Sequence, residues 1–258
     1  MKKLLVLLFV LTPTLAQTFP APEARQGVAV DQAHFYAIDN RTIGKYDKRT
    51  GELVARFESP EDGEIIHLDS GVVIEGKLYC AHSNYPDWPM TSSVEIFDAE
   101  TLEHIDSHSF GINWGSLTWL DFHDGYWWAG FANYNRVFGE SPLAYGNKHR
   151  TMVVKLDQDF GFLEGWVLPD EMLERFDDMS NSGGSWGPDG RLYLTGHDLA
   201  EVYAVELPKA GSILKWADSY EAPITGQGIA WDRGEAGWLY GINREERQVL
   251  RFQLEPAE

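Results

Sequence analysis

The feature that most constrains this chain is a unit that recurs four times and begins a fifth. Each unit runs through an apolar strand, a short turn, an aromatic-rich strand, a polar break, a third strand ending in Asp or Glu, and then a turn and a fourth strand. Units begin at Gly27 ("GVAVDQAHFYAIDNRTIGKYDKRTGELVARFE"), Gly71, Ser116 and Gly184. A fifth, "GIAWDRGEAGWLYGINREERQVLRFQLEP", begins at Gly228 and stops after three strands.

The starts lie 44, 45, 68 and 44 residues apart, and two insertions, at 135 to 149 and about 169 to 181, account for the long interval. A period in the forties with four strands per unit points to an all-β fold, a five-bladed β-propeller of four-stranded antiparallel blades. Blade five lacks its fourth strand, so the segment "QTFPAPEAR" ahead of blade one is expected to supply the outermost strand and close the ring. Pro20 and Pro22 permit this, because an outermost strand has a free edge where a missing N–H is harmless. One helix is expected, over "PDEMLERF" at 169 to 176.

Residues 1 to 16, "MKKLLVLLFVLTPTLA", place Lys2 and Lys3 before an apolar run and end in small residues, the pattern of a cleaved export signal. The run is shorter than the roughly 20 apolar residues of a membrane helix. The reading is therefore a signal peptide at 1 to 16 and a single propeller domain at 17 to 258, secreted or periplasmic, with no membrane span. Net charge is −19, or −21 once Lys2 and Lys3 are gone. Such a surface repels phosphate backbones and anionic lipid, so nucleic acid is not an expected partner. Cys80 is the only cysteine, which leaves packing alone to hold the fold, and "KLYCAH" reads as a strand that buries it. A monomer is expected.

Aligning the units brings Asp39-Asn40, His82-Ser83-Asn84, Asn133, His197-Asp198 and Asn243-Arg244 to one place, just after the second strand. In a propeller those loops share a face with the loops leading into the innermost strands, which read Gln26, His67 to Ser70, Trp114 to Ser116, Ser182 to Gly184, and Gln227. Asn and Asp are common turn residues in their own right. Yet a ring of them at one channel mouth, with two histidines, favours a polar pocket for a small molecule or peptide.

His197 and His82 titrate near neutrality and suit a base and an acid, with Asp198 orienting His197. Gln26, Asn84, Asn133, Gln227 and Asn243 are candidates to hold a substrate carboxylate or carbonyl, with Arg244 as counter-charge. Oxygen donors of this kind would suit Ca²⁺, and a zinc site would need His67, His82 and His197 to converge. Tyr85, Trp88 and Tyr134 are candidate apolar walls, as are Trp114, Trp119, Trp186 and Trp231. The insertion at 135 to 149 is expected at this mouth as a lid.

At "RQGVAV" and "GQGIAW" the chain resembles the Gln-Gly motif that opens the blades of plant- and bacterial-type glutaminyl cyclases, which are secreted five-bladed propellers. Ala29 and Ala230 stand where that family carries an acidic residue. The chain is more loosely similar to propeller lactonases and cycloisomerases, whose channel mouths hold a metal or act on a ring ester. These resemblances imply a cyclisation or ring-opening enzyme. A binding or protein-interaction propeller without turnover is the alternative, since the fold carries both.

Overall fold

The computed structural model of the protein describes residues 16–137 and 146–254. Within them five four-stranded antiparallel sheets form the blades of a propeller. From channel to rim, blade one contains Gly27–Val30, His34–Asp39, Thr42–Asp47 and Leu53–Glu58. The innermost strands of blades two to five are Leu68–Ile74, Ser116–His123, Gly183–Trp186 and Ala230–Trp231. Blade five is completed at its rim by Gln17–Pro20, which pairs with Gln248–Phe252, Thr18 opposite Leu250 and Phe19 opposite Val249. The expected N-terminal closure is therefore present. Pro20 sits on the last rung, where the rim edge needs no N–H.

The aromatic second strands hold the ring together through strand alternation. Successive side chains point to opposite faces of a sheet, so each adjacent apolar pair serves two neighbouring seams. Phe35 packs against blade five while Tyr36 packs against blade two. Trp127 and Trp128 divide between the seams to blades two and four, and Leu239 and Tyr240 between those to blades four and one. Cys80 is buried in the blade one–two seam, and burial raises its thiol pKa. The rim strands leave Leu53, Val54 and Phe162 half exposed. The expected helix is present as one short turn, Asp170–Glu174, which starts after Pro169 and buries Met172 and Leu173.

The blade five–one seam also holds an ion pair, Lys48 Nζ to Asp232 Oδ2 at 2.5 Å, with both side chains buried. Lys48 further donates to the Asp31 carbonyl at 3.0 Å, and Asp232 Oδ1 accepts from the Gly234 and Glu235 amides. Asp232→Ala leaves the ammonium without its counter-charge, and the expected cost is about 3–5 kcal/mol in urea unfolding. A loss below about 1 kcal/mol would show that water reaches Lys48.

The channel is narrow where Gly27, which opens the innermost strand of blade one, and Gly228, just ahead of that of blade five, lie against Ser70 of blade two. A Cβ on Gly27 would meet the Ser70 backbone at 2.9 Å, and one on Gly228 would meet the Ser70 side chain at 2.6 Å. Beyond this neck lies a space of about 10 Å³ among residues that include Asp121, Ser185 and Arg233. There the Arg233 guanidinium bonds Asp121, whose Oδ2 accepts from Ser185 at 3.2 Å.

Candidate functional site at the channel mouth

Above the neck lies a cavity of about 460 Å³. Its walls come from the two loop sets singled out by the repeat alignment. The lead-in loops supply Gln26, His67, Ser182 and Gln227, the start of the innermost strand of blade two supplies Asp69, and the second-strand loops supply Asn40, Tyr85, Tyr134, His197 and Arg244. Arg136, from the start of the first insertion, and Met179, from the second, also line it. The root of the first insertion is therefore at the same mouth as His197, while residues 138–145, which would form a lid, lie outside the described residues.

Four of the nine candidate residues line the cavity: Gln26, His197, Gln227 and Arg244. Gln26 Nε2 donates to Asn40 Oδ1 at 2.6 Å, and Gln227 Nε2 donates to the His197 carbonyl at 2.7 Å. Each glutamine thus ties a lead-in loop to a second-strand loop. The other five do not line it. His82 lies in the strand Lys77–Ser83, where its Nε2 accepts from the Ile66 amide at 3.1 Å and its Nδ1 faces Ser93 Oγ at 2.9 Å. Asn84 closes its own loop on the Pro89 carbonyl and the Thr91 amide. Asn133 is buried and donates to the Trp114 and Arg150 carbonyls. Asn243 caps the amides of Glu245 and Glu246. Asp198 projects to solvent, with its Oδ1 2.7 Å from His197 Nδ1. In Asn84 and Asn243 the turn role prevails, because a short amide bonds its own loop before it can reach across a channel, while Asn133 is spent tying its loop to the lead-in loop at Trp114.

Of the candidate aromatics, Tyr85 and Tyr134 face the cavity with rings 5.7 Å apart. Trp88 is exposed, and Trp119, Trp186 and Trp231 are buried in seams. Trp114 packs edge-on against Phe131 in the blade two–three seam. Among the described residues no group of three His, Cys, Asp or Glu side chains could hold a metal ion, so His67, His82 and His197 do not form the zinc set. The side-chain oxygens of Asn84 and Asn243, two of the donors proposed for Ca²⁺, accept from amides of their own loops.

The residue that sequence reasoning passed over is Asp69. It is 4% exposed, and its Oδ2 has no hydrogen-bond partner. That oxygen lies 3.5 Å from His67 Nε2, and the His67 ring packs on Tyr85 at 4.8 Å. Burial pushes the Asp69 carboxyl well above the usual carboxylate range, against the pull of Arg244. Burial, reinforced by the positive charge of neighbours, brings His67 down to about 3. Both shifts favour the uncharged forms, a neutral imidazole beside a carboxyl group that holds its proton more tightly than usual. A carboxylic acid kept neutral in a buried site is a hydrogen-bond and proton donor.

His197 has a different part. Its Nε2 is 3.2 Å from Arg244 Nη1, and since a guanidinium only donates, that nitrogen is the acceptor. Nδ1 then carries the proton and faces Asp198. Burial lowers the pKa of His197 and also that of Arg244, whose guanidinium nonetheless stays charged. His197 thus positions the arginine.

No protein-family model matches the chain, and no curated protein does. Solved structures match it in fold. An aldose sugar dehydrogenase from Streptomyces coelicolor, in its PQQ-bound form, has a TM-score of 0.53 at 11% identity, covering 94% of this chain and 99% of that one. A luciferin-regenerating enzyme has a TM-score of 0.53 at 10% identity, covering 94% and 97%. At such identities the likeness is one of propeller architecture, and no link to glutaminyl cyclases is shown. The Gln-Gly motifs have a local explanation here, with the glycines letting the strands crowd the neck and the glutamines tying loops together.

Proposed function

We propose that this chain is an exported propeller whose channel-mouth cavity binds a small molecule and exchanges a proton with it through Asp69. The observation that carries the reading is the buried Asp69 carboxyl, whose Oδ2 has no hydrogen-bond partner while its residue lines the cavity. A group placed so costs stability unless something completes it. Asp69 would give its proton to a ligand oxygen and His67 Nε2, 3.5 Å away, would steady the carboxylate left behind. Proton delivery to a ring or carbonyl oxygen is the step that ring opening and cyclisation share. Export rests on residues 1 to 16, and a cut after Ala16 keeps the closing strand Gln17–Pro20 on the mature chain. A binding propeller without turnover is the second reading, favoured by His197, which is engaged by Arg244 and Asp198 instead of standing ready as a base.

The test is a thermal-shift screen of the purified protein against lactones, sugars, peptides with N-terminal glutamine and divalent cations, with each binder then assayed for turnover. Any ligand of the folded state raises its melting temperature. His197→Asn should change stability by less than about 1 kcal/mol and weaken a binder on the order of tenfold by releasing Arg244. A variant with full ligand response would remove His197 from the site, and a screen with no binder would remove the pocket.

A further inference from the structure

The cavity's charge runs against that of the protein. The chain carries 40 acidic and 21 basic residues, yet the charged groups lining the mouth are Arg25, Arg136, Arg244 and the single acid Asp69. Arg25 is 3.9 Å from Asp39, and Arg136 has an interaction of its own. Arg244 is different. Its guanidinium is half buried, no carboxylate of the described residues pairs with it, and its contact is the uncharged Nε2 of His197. Asp198, the nearby acid, is spent on the other nitrogen of that ring. A half-buried cation and a buried carboxyl, both short of partners, thus face one space beside the rings of Tyr85 and Tyr134.

We propose, on the reading of the cavity as a small-molecule site, that its ligand is a monocarboxylate with an aromatic or apolar body. The carboxylate pairs with Arg244, the body lies against Tyr85 and Tyr134, and a neutral oxygen of the ligand meets the Asp69 carboxyl. One guanidinium without a counter-ion answers one negative charge, which favours a carboxylate over a phosphate dianion. Charge-assisted pairing of a planar guanidinium with a carboxylate is strong and directional, and stronger where water is partly excluded. The volume lies within the range of roughly 300–1,000 Å³ usual for such sites.

The experiment titrates the full chain with phenylacetate, indole-3-acetate and mandelate, each beside its primary amide, and with phenyl phosphate. The wild type should bind the acids on the order of tenfold more tightly than the amides, and added salt should weaken only the acids. Arg244→Gln should abolish the preference while amide affinity stays, and Arg244→Lys should restore part of it. Mandelate, with its extra hydroxyl, should exceed phenylacetate in the wild type but not in Asp69→Asn. Amides binding as tightly as acids, a preference for phenyl phosphate, or a preference that survives Arg244→Gln would each overturn the carboxylate while leaving the pocket standing. No binding by any probe would overturn the carboxylate, and the screen above would then decide the pocket.

Discussion

Trp119→Ala is expected to destabilise the protein by about 3–5 kcal/mol, a large part of the roughly 5–15 kcal/mol that holds a domain folded. Trp119 is fully buried in the blade three–four seam, and two glycines make room for it, since a Cβ on Gly130 or Gly184 would overlap the indole. Its Nε1 donates to Asn181 Oδ1 at 2.5 Å, and Asn181 Nδ2 donates to the Gly183 and Thr195 carbonyls at 2.8 and 2.9 Å. Alanine therefore opens a cavity and also strands a buried acceptor, two costs that add. Ser182, one residue on, lines the mouth, so ligand response should weaken along with the fold. Urea unfolding measures the loss, and a change below about 1 kcal/mol would mean that the seam collapses around the gap.

The architecture was legible because its signals are local. Paired apolar residues at one register of each second strand, such as Phe35-Tyr36 and Trp127-Trp128, need only strand alternation to serve two seams. The incomplete fifth unit and the unassigned "QTFP" could be matched by strand count. The site was legible as a place but only partly as residues. Loop alignment locates the mouth, yet it cannot say whether Asn84, Asn133 and Asn243 turn toward the channel or toward nearby backbone, and the hydrogen bonds take Asn84 and Asn243 to their own loops and Asn133 to the Trp114 carbonyl. His82 fails for a related reason, since it sits within a strand and is held by Ile66 and Ser93. Asp69 was hidden in "HLDSG", which reads as a turn. It sits beside Ser70, which packs against Gly27 and Gly228 of other blades, a long-range contact that local sequence does not show, and the only advance signal was its place where an innermost strand begins.

Asp69→Asn should make the protein more stable and its cavity less competent. Burial raises the Asp69 pKa in the fold above its unfolded value, so the bound proton favours folding. That contribution is complete below the unfolded carboxylate pKa of about 3.9 and is lost as pH rises through the folded value. Asparagine has no such proton to lose, so the variant should gain on the wild type by up to about 1.4 kcal/mol per pH unit across that window. His67 works in the opposite direction. Its pKa, held down to about 3, means that stability falls as pH drops below about 6.5. Above about pH 6.5 the imidazole is neutral both folded and unfolded, so there the change of margin with pH reports Asp69. A residue that lowers stability and is needed for binding belongs to a site. The measurement is the melting temperature of wild type and Asp69→Asn from about pH 5 to about pH 8, with and without a ligand that stabilises the wild type. The account predicts a variant that melts higher, by a margin that widens with pH, and that has lost most of the ligand-induced rise. A variant that melts lower at every pH and keeps the full rise would contradict it.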